Sequence, residues 1–357
     1  GTTSEELQKV IDNNPNTIIE LDTKQIELHN TIYLKDNTII NGNGTKFFAD
    51  NIRYGFTGES ISNVFINNIN IQGNIEYGMY FVDCTNIKVA NSKINGMLQK
   101  SICIIGTTTG FSITNNEMCN NQAGGIYIAG NVSNGIIELN DIRNNGGTSN
   151  WMAGIVITNV LSNDKYNIWE TFDEAHHFPY KENLYAQLNC PNQLIIRDNQ
   201  VMYNNALGIY SDGAYLCYIL NNTVYQNDKE GICLDYGTIG FYLKENVFKA
   251  NGRRIRQSDE DLRMDFVLDA GRMDDSSAKS KLPGVSLDNT AYNILENNIV
   301  VNNYGGGIKM VRTTVRSLIM ENIIRDNNMG QNDNFHFFGI EVGAAVADVE
   351  STDMDFT

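Results

Sequence analysis

Residues 195–246 read IIRDNQVMYNNALGIYSDGAYLCYILNNTVYQNDKEGICLDYGTIGFYLKEN. Ile196-Arg-Asp-Asn199, Ile219-Leu-Asn-Asn222 and Leu243-Lys-Glu-Asn246 each set an apolar residue three places before an asparagine, at a nearly constant spacing. Between them, Gly208-Ile-Tyr-Ser and Gly231-Ile-Cys-Leu open a short apolar alternation at the same spacing. Outward from this stretch the asparagines continue as Asn68, Asn91, Asn116, Asn140, Asn298 and Asn322. The full series has gaps of 23, 25, 24, 59, 23, 24, 52 and 24. The glycines continue as Gly78, Gly125, Gly154, Gly284, Gly307 and Gly339.

A unit of about 24 residues is too short for a helical-pair repeat and fits one coil of a parallel β-solenoid. The expected fold class is therefore all-β, with at least two short strands per coil and alternate residues turned inward. Asparagines stacked at one turn form an amide ladder, which makes them structural. Four prolines in the whole chain suit a backbone whose donors nearly all pair with neighbouring coils. Thr3-Ser-Glu-Glu6 can make a capping box, and Leu7, Val10 and Ile11 are expected on one face of an N-terminal helix that plugs the core. The boundaries are a cap at 1–16, the solenoid at 17–345 and an acidic tail at 346–357. The C-terminal end reads as unfinished, so a following segment or a partner subunit is expected there. The pattern resembles the right-handed parallel β-helix of the pectate-lyase-like superfamily over about residues 17–345. That superfamily implies the fold; its members include lyases, hydrolases, epimerases and phage tailspikes.

Composition narrows the function. The chain carries 26 basic and 42 acidic side chains, net −16. Neutralising phosphates needs basic surface, so nucleic acid is excluded as a partner. No apolar run approaches the ~20 residues of a membrane span. Six cysteines contain no C-x-x-C pair and read as core or free thiols. No signal peptide opens the chain. Gly1 reads as a cloning remnant, which leaves room for a removed export signal. A bacterial protein that is secreted or held at the cell surface is expected, with a cytoplasmic one as the alternative.

Two gaps in the asparagine series exceed the period, the one before Asn199 and the one before Asn298. The first excess maps to about 161–192 and carries His176 and His177; the second maps to about 252–283 and is rich in arginine. Long loops inside a compact repeat are usually functional, and these two flank the same few coils, so they are expected to act as lids over a cleft.

Aligned on their glycines, Asp212, Asp235 and Asp288 each lie four places after the glycine, and Asn222, Asn246 and Asn298 follow them at 10, 11 and 10 places. They are expected to stack on consecutive coils and to face outward, Ile209, Ile232 and Val285 facing the core. Asp269 rivals Asp288 for the third place. Carboxylates one coil apart, at ~4.8 Å, repel by about 3 kcal/mol at an effective dielectric of ~20. A shared proton, a bound cation or a facing base would answer that charge. A shared proton leaves one acid and one anion near neutral pH, the pair that glycoside hydrolysis needs. Tyr127, Tyr210 and Lys309 are expected outward on the same face, with Trp151 at the adjoining turn; His176, His177 and Arg312 are further substrate contacts. Aromatic faces stack on sugar rings.

Asp228-Lys-Glu-Gly-Ile-Cys-Leu-Asp235 is similar to the acid–nucleophile arrangement of the β-helical lacto-N-biosidases of gut bacteria. That resemblance implies Asp228 as acid/base and Asp235 as nucleophile. An extended span would hold the two ~23 Å apart, whereas Asp212 with Asp235 needs no sharp turn. The leading expectation is a glycoside hydrolase on a neutral or amino-sugar glycan, without cofactor. The first alternative is a lyase or epimerase on uronic acids, with Ca²⁺ held by Asp212, Asp235 and Asp288 and a base from Lys309, Arg312 or the arginine-rich loop. The second is a non-catalytic adhesin or tailspike fragment.

Overall fold

A computed structural model describes residues 3–13, 16–147, 152–159, 190–235, 237–253, 282–311, 314–327, 329 and 339–342. Among them are one helix, Ser4–Asn13, and 29 strands, every registered pair of which is parallel. The chain is the solenoid that its period requires. From residue 102 to residue 325 each coil has three strands. The first follows the periodic glycine, as in Ile209–Asp212 and Ile232–Asp235. The second is represented by Tyr218–Leu220 and the third by Thr223–Tyr225.

The core is a set of stacked columns. Ile126, Ile155, Ile209, Ile232, Val285 and Ile308 are consecutive partners in the first strand row, none more than 1% exposed. The periodic glycine stands where the next coil's backbone passes closest. A Cβ on Gly208 would lie 2.5 Å from Val224 Cγ1 and 2.6 Å from the Gly231 carbonyl oxygen.

Two asparagine ladders turn the corners on either side of the third strand. The first runs Asn116, Asn140, Asn199, Asn222, Asn246, Asn298, Asn322, each Nδ2 donating to the next Oδ1 at 2.9–3.1 Å. Asn68 and Asn91 are not in it. They fall one residue early, on an exposed column, and Ser92 takes the ladder place, its backbone N donating to Asn116 Oδ1. The second ladder, Asn121, Asn145, Asn204, Asn227, Asn251, Asn303, Asn327, was not anticipated, although it keeps the same spacing. Both ladders cross the long gaps without a break: Asn140 reaches Asn199 at 3.0 Å and Asn246 reaches Asn298 at 2.9 Å. The insertions therefore leave coil stacking intact.

The capping box forms, with Glu6 N donating to Thr3 Oγ1 and Thr3 N to Glu6 Oε2. Leu7 and Ile11 are buried beneath the helix, but Val10 is 38% exposed and points away from the core. All six cysteines are free and buried.

Candidate active site

The outer face of the first strand row carries the candidate chemistry. Register pairs Thr158 with Asp212 and Asp212 with Asp235, and sets Asp288 beside Val311 on the coils that follow. Adjacent strands are ~4.8 Å apart, so Asp212 and Asp235 are near neighbours on one wall. Alternation turns them outward, but not into open solvent. Asp212 is 1% exposed and Asp235 7%, while Asp288 is half-buried. The column emerges toward the C-terminal coils.

Burial decides the charge. Desolvation pushes the Asp212 carboxyl up to about 8, against the opposing pull of a hydrogen bond from the Tyr210 side chain. Asp212 Oδ2 is buried with no hydrogen-bond partner among the described residues. A proton held on Asp212 would remove the repulsion that two adjacent carboxylates otherwise suffer. The stems of the first insertion stand close by: Asn159 N donates to the Asp212 carbonyl oxygen at 3.0 Å, and Cys190 is near enough to feel the Asp212 charge.

Between the aspartates and the core-side turn lies Cys233, paired in register with Tyr210 and Ser286. Burial, followed by the charges of Asp235, Glu230 and Asp288, holds its thiol far above the usual range. Glu230, in the turn before Gly231, thus lies close enough for its charge to act on the thiol. It immediately precedes a periodic glycine, which is the signal that marks its place in the sequence.

Other expected residues are distributed as follows. Tyr127 and Tyr210 face outward, yet each is 2% exposed, packed into a second apolar cluster with Cys103, Ala153, Val156, Ala206 and Leu207. Lys309 lies on the same face, beside Ser286, and is half-buried. Asp228 sits in the turn before Gly231, its Oδ1 3.5 Å from Arg253 Nη2, at the opposite end of the strand from Asp235. At about 3.3 Å per residue that strand separates the two aspartates, so the neighbour of Asp235 on the wall is Asp212. Trp151, His176, His177, Asp269 and Arg312 lie outside the described residues, as do most of both loops and the tail. Among the described residues, no group of three or more His, Cys, Asp or Glu side chains is arranged to hold a metal ion.

One cation on this wall escaped the sequence reading. Lys100 is 8% exposed; its Nζ donates to the Ala123 carbonyl oxygen at 2.5 Å and lies 4.9 Å from the centre of the Tyr127 ring. Burial pulls its ammonium down to about 8, partly offset by Cys103. Tyr127 is two coils from Tyr210 through Val156. A lone lysine carries no periodic signal, because its depth is set by Ala123 and Tyr127 on the following coil.

The solenoid is shared with solved structures. The A-module of the Azotobacter vinelandii mannuronan C-5 epimerase AlgE6 superposes with a TM-score of 0.59 at 14% identity, over 96% of this chain and 94% of that one. The AlgE4 A-module of the same organism gives 0.58 at 12% identity, over 96% and 92%. A variant of the periplasmic alginate epimerase AlgG gives 0.60 at 14% identity, over 99% and 73%. At such identities the likeness is one of fold. No curated protein matches the chain by sequence. The pattern described as right handed beta helix region matches residues 54–248 and 187–353. Parallel register, the coil period and that match agree, and the chain belongs to the right handed beta helix family.

Proposed function

We propose that the chain is a carbohydrate-active enzyme that hydrolyses glycosidic bonds. Asp212 is the proton donor to the leaving oxygen, and Asp235 is the anion that attacks the sugar or activates water. The observation that carries this reading is the pairing of Asp212, buried and with its carboxyl pushed up by desolvation, with Asp235 on the adjoining strand. Two carboxyls in one place with different protonation are what acid-assisted glycoside cleavage requires. Asp288, half-buried at the open end of the column, is where substrate reaches the pair. Tyr210 positions Asp212 from the same strand. The proposal places the protein where polysaccharide is found, secreted or at the cell surface; among the described residues no helix is long and apolar enough to cross a membrane.

A second reading, epimerisation or elimination on uronic acids, draws support from the mannuronan and alginate epimerases that share the solenoid. In it, neutral Asp212 would hydrogen-bond the uronate carboxylate. A glycan panel with reducing-end detection, run with and without chelator, separates the two. Hydrolysis yields new reducing ends with no ultraviolet-absorbing product and survives chelator. Elimination yields an unsaturated, absorbing product. Epimerisation yields neither, but changes the sugar composition. Absence of new reducing ends on every glycan would remove the hydrolytic reading.

A further inference from the structure

The outer face of the second strand row changes character along the solenoid. Its central column begins polar, with Lys88 and Ser112, and then runs Ile136, Ile195, Tyr218, Tyr242 and Ile294 on successive coils. The residue after each of these five, from Ile137 to Leu295, is at most 1% exposed and fills the core, so alternation turns the column outward. Tyr218 is 45% exposed and Ile294 37%, while Ile136, Ile195 and Tyr242 are half-buried. The apolar strip widens at the turn that enters each strand. There Leu216 and Tyr292 are 50% and 48% exposed, in register with Asn134, Gln193 and Gly240 on the other coils.

Those five turn positions all have a left-handed backbone, with φ of 51° at Leu216 and 57° at Tyr292. Glycine and asparagine suit that conformation, whereas leucine and tyrosine are uncommon in it. Large apolar side chains, held where the backbone disfavours them and turned to water, mark a surface kept for contact. The opposite margin of the strip reads Glu138, Arg197, Leu220, Lys244, Glu296. Its charges pair along the face, Arg197 Nη2 with Glu138 at 2.7 Å and Lys244 Nζ with Glu296 at 3.4 Å. The margin is therefore neutral in a chain of −16. An apolar strip with a polar rim is the anatomy of a protein interface. Isoleucine and leucine offer no ring to stack on a sugar, so the strip fits a protein better than a glycan.

The pattern is complementary to itself, which selects the occupant. Two copies can be set face to face with their solenoids parallel, about a two-fold axis running along the strip. Each central residue then meets its own counterpart, and the two margins meet at equal height along the coils. Leu220 meets Leu216, and Glu296 meets the Tyr292 hydroxyl. Arg197 meets Gln193, Glu138 meets Asn134, and Lys244 meets Gly240, where no side chain stands in its way. No like charges face each other. An antiparallel pair that buries the same five coils would set Glu138 against Glu296 and Arg197 against Lys244, like charge on like. We propose that the chain forms a parallel, side-by-side dimer through this strip, a closed two-fold contact centred on Tyr218. The aspartates lie on the first strand row, a different face of the coil, so both copies keep them outside the contact.

The test is light scattering, small-angle X-ray scattering and cross-linking on the full chain. A particle of twice 39.9 kDa is expected, broader than one solenoid but of nearly the same maximum dimension. The double variant Leu216→Asn, Tyr218→Lys is expected to weaken the dimer by about 100-fold or more with an unchanged far-ultraviolet spectrum. Lys88→Glu, on the polar part of the same column, leaves the dimer intact. All six native cysteines are buried, so an introduced one reports its own surroundings to a short bismaleimide. Tyr218→Cys and Ile294→Cys, made singly, are each expected to link the two copies. In an antiparallel pair only Tyr218→Cys would do so, because the two copies of residue 294 would lie at opposite ends of the contact. A monomer at all concentrations, which leaves the strip to another partner, would overturn the proposal. So would a trimer, a dimer indifferent to the double variant, or a failure of Ile294→Cys to cross-link.

Discussion

Replacing Asp212 by asparagine tests the site without requiring its substrate. In the folded chain the carboxyl keeps its proton up to about pH 8; unfolded, it gives it up near 3.8. The folded state therefore binds the extra proton between those values, and stability falls as pH rises through that window. Each pH unit costs about 1.36 kcal/mol, so wild type loses about 4 kcal/mol between pH 5 and pH 8 through this group alone. Asparagine does not titrate and still offers an oxygen to Tyr210. Urea unfolding of both proteins at pH 5, 6, 7 and 8 isolates the effect, since all other groups are common to both. Asp212→Asn is expected to differ least from wild type near pH 5 and to gain on it progressively above. It should meanwhile lose glycan cleavage by about 1,000-fold. A stability difference that stays constant from pH 5 to pH 8 would refute the assignment of a buried proton to Asp212, and with it the acid in the proposed pair.

Further outcomes follow from the same geometry. Asp235→Asn is expected to lower turnover by about 1,000-fold with the fold intact, read by reducing-end release and circular dichroism. If Asp212 is the acid, cleavage should decline above about pH 8 as its proton is lost, and a rate still rising at pH 9 would contradict that role. Lys100 has its ammonium depressed to about 8 from 10.5, so wild type should gain about 3 kcal/mol as pH rises through that window, and Lys100→Met should not. Asn222→Ala removes donors to Ile196 and Asn246 and an acceptor for Asn199, all buried, and should cost about 3–5 kcal/mol in urea unfolding.

The aspartate column was legible because a glycine opens the first strand of each of these coils, and counting from it puts Asp212 and Asp235 in register, with the asparagine spacing agreeing to within one residue. The lacto-N-biosidase-like pairing of Asp228 with Asp235 joined residues close in sequence, but a strand lies between them. Asn91 shows the limit of counting: a one-residue slip moves a side chain from the buried ladder to the surface, and in its coil the ladder place is held by Ser92.

From the sequence alone came the period, the all-β parallel coil, the capping helix and the stacking of Asp212 on Asp235, all local or strictly periodic properties. The tertiary structure decided how deep each side chain lies. Tyr127 and Tyr210 face outward but are packed away, Asp212 is stripped of water, and Lys100 is buried against an aromatic ring. Alternation along a strand dictates which way a residue points. What covers it depends on turns that belong to other coils, remote along the chain, and that cover sets the dielectric, the protonation and hence the chemistry.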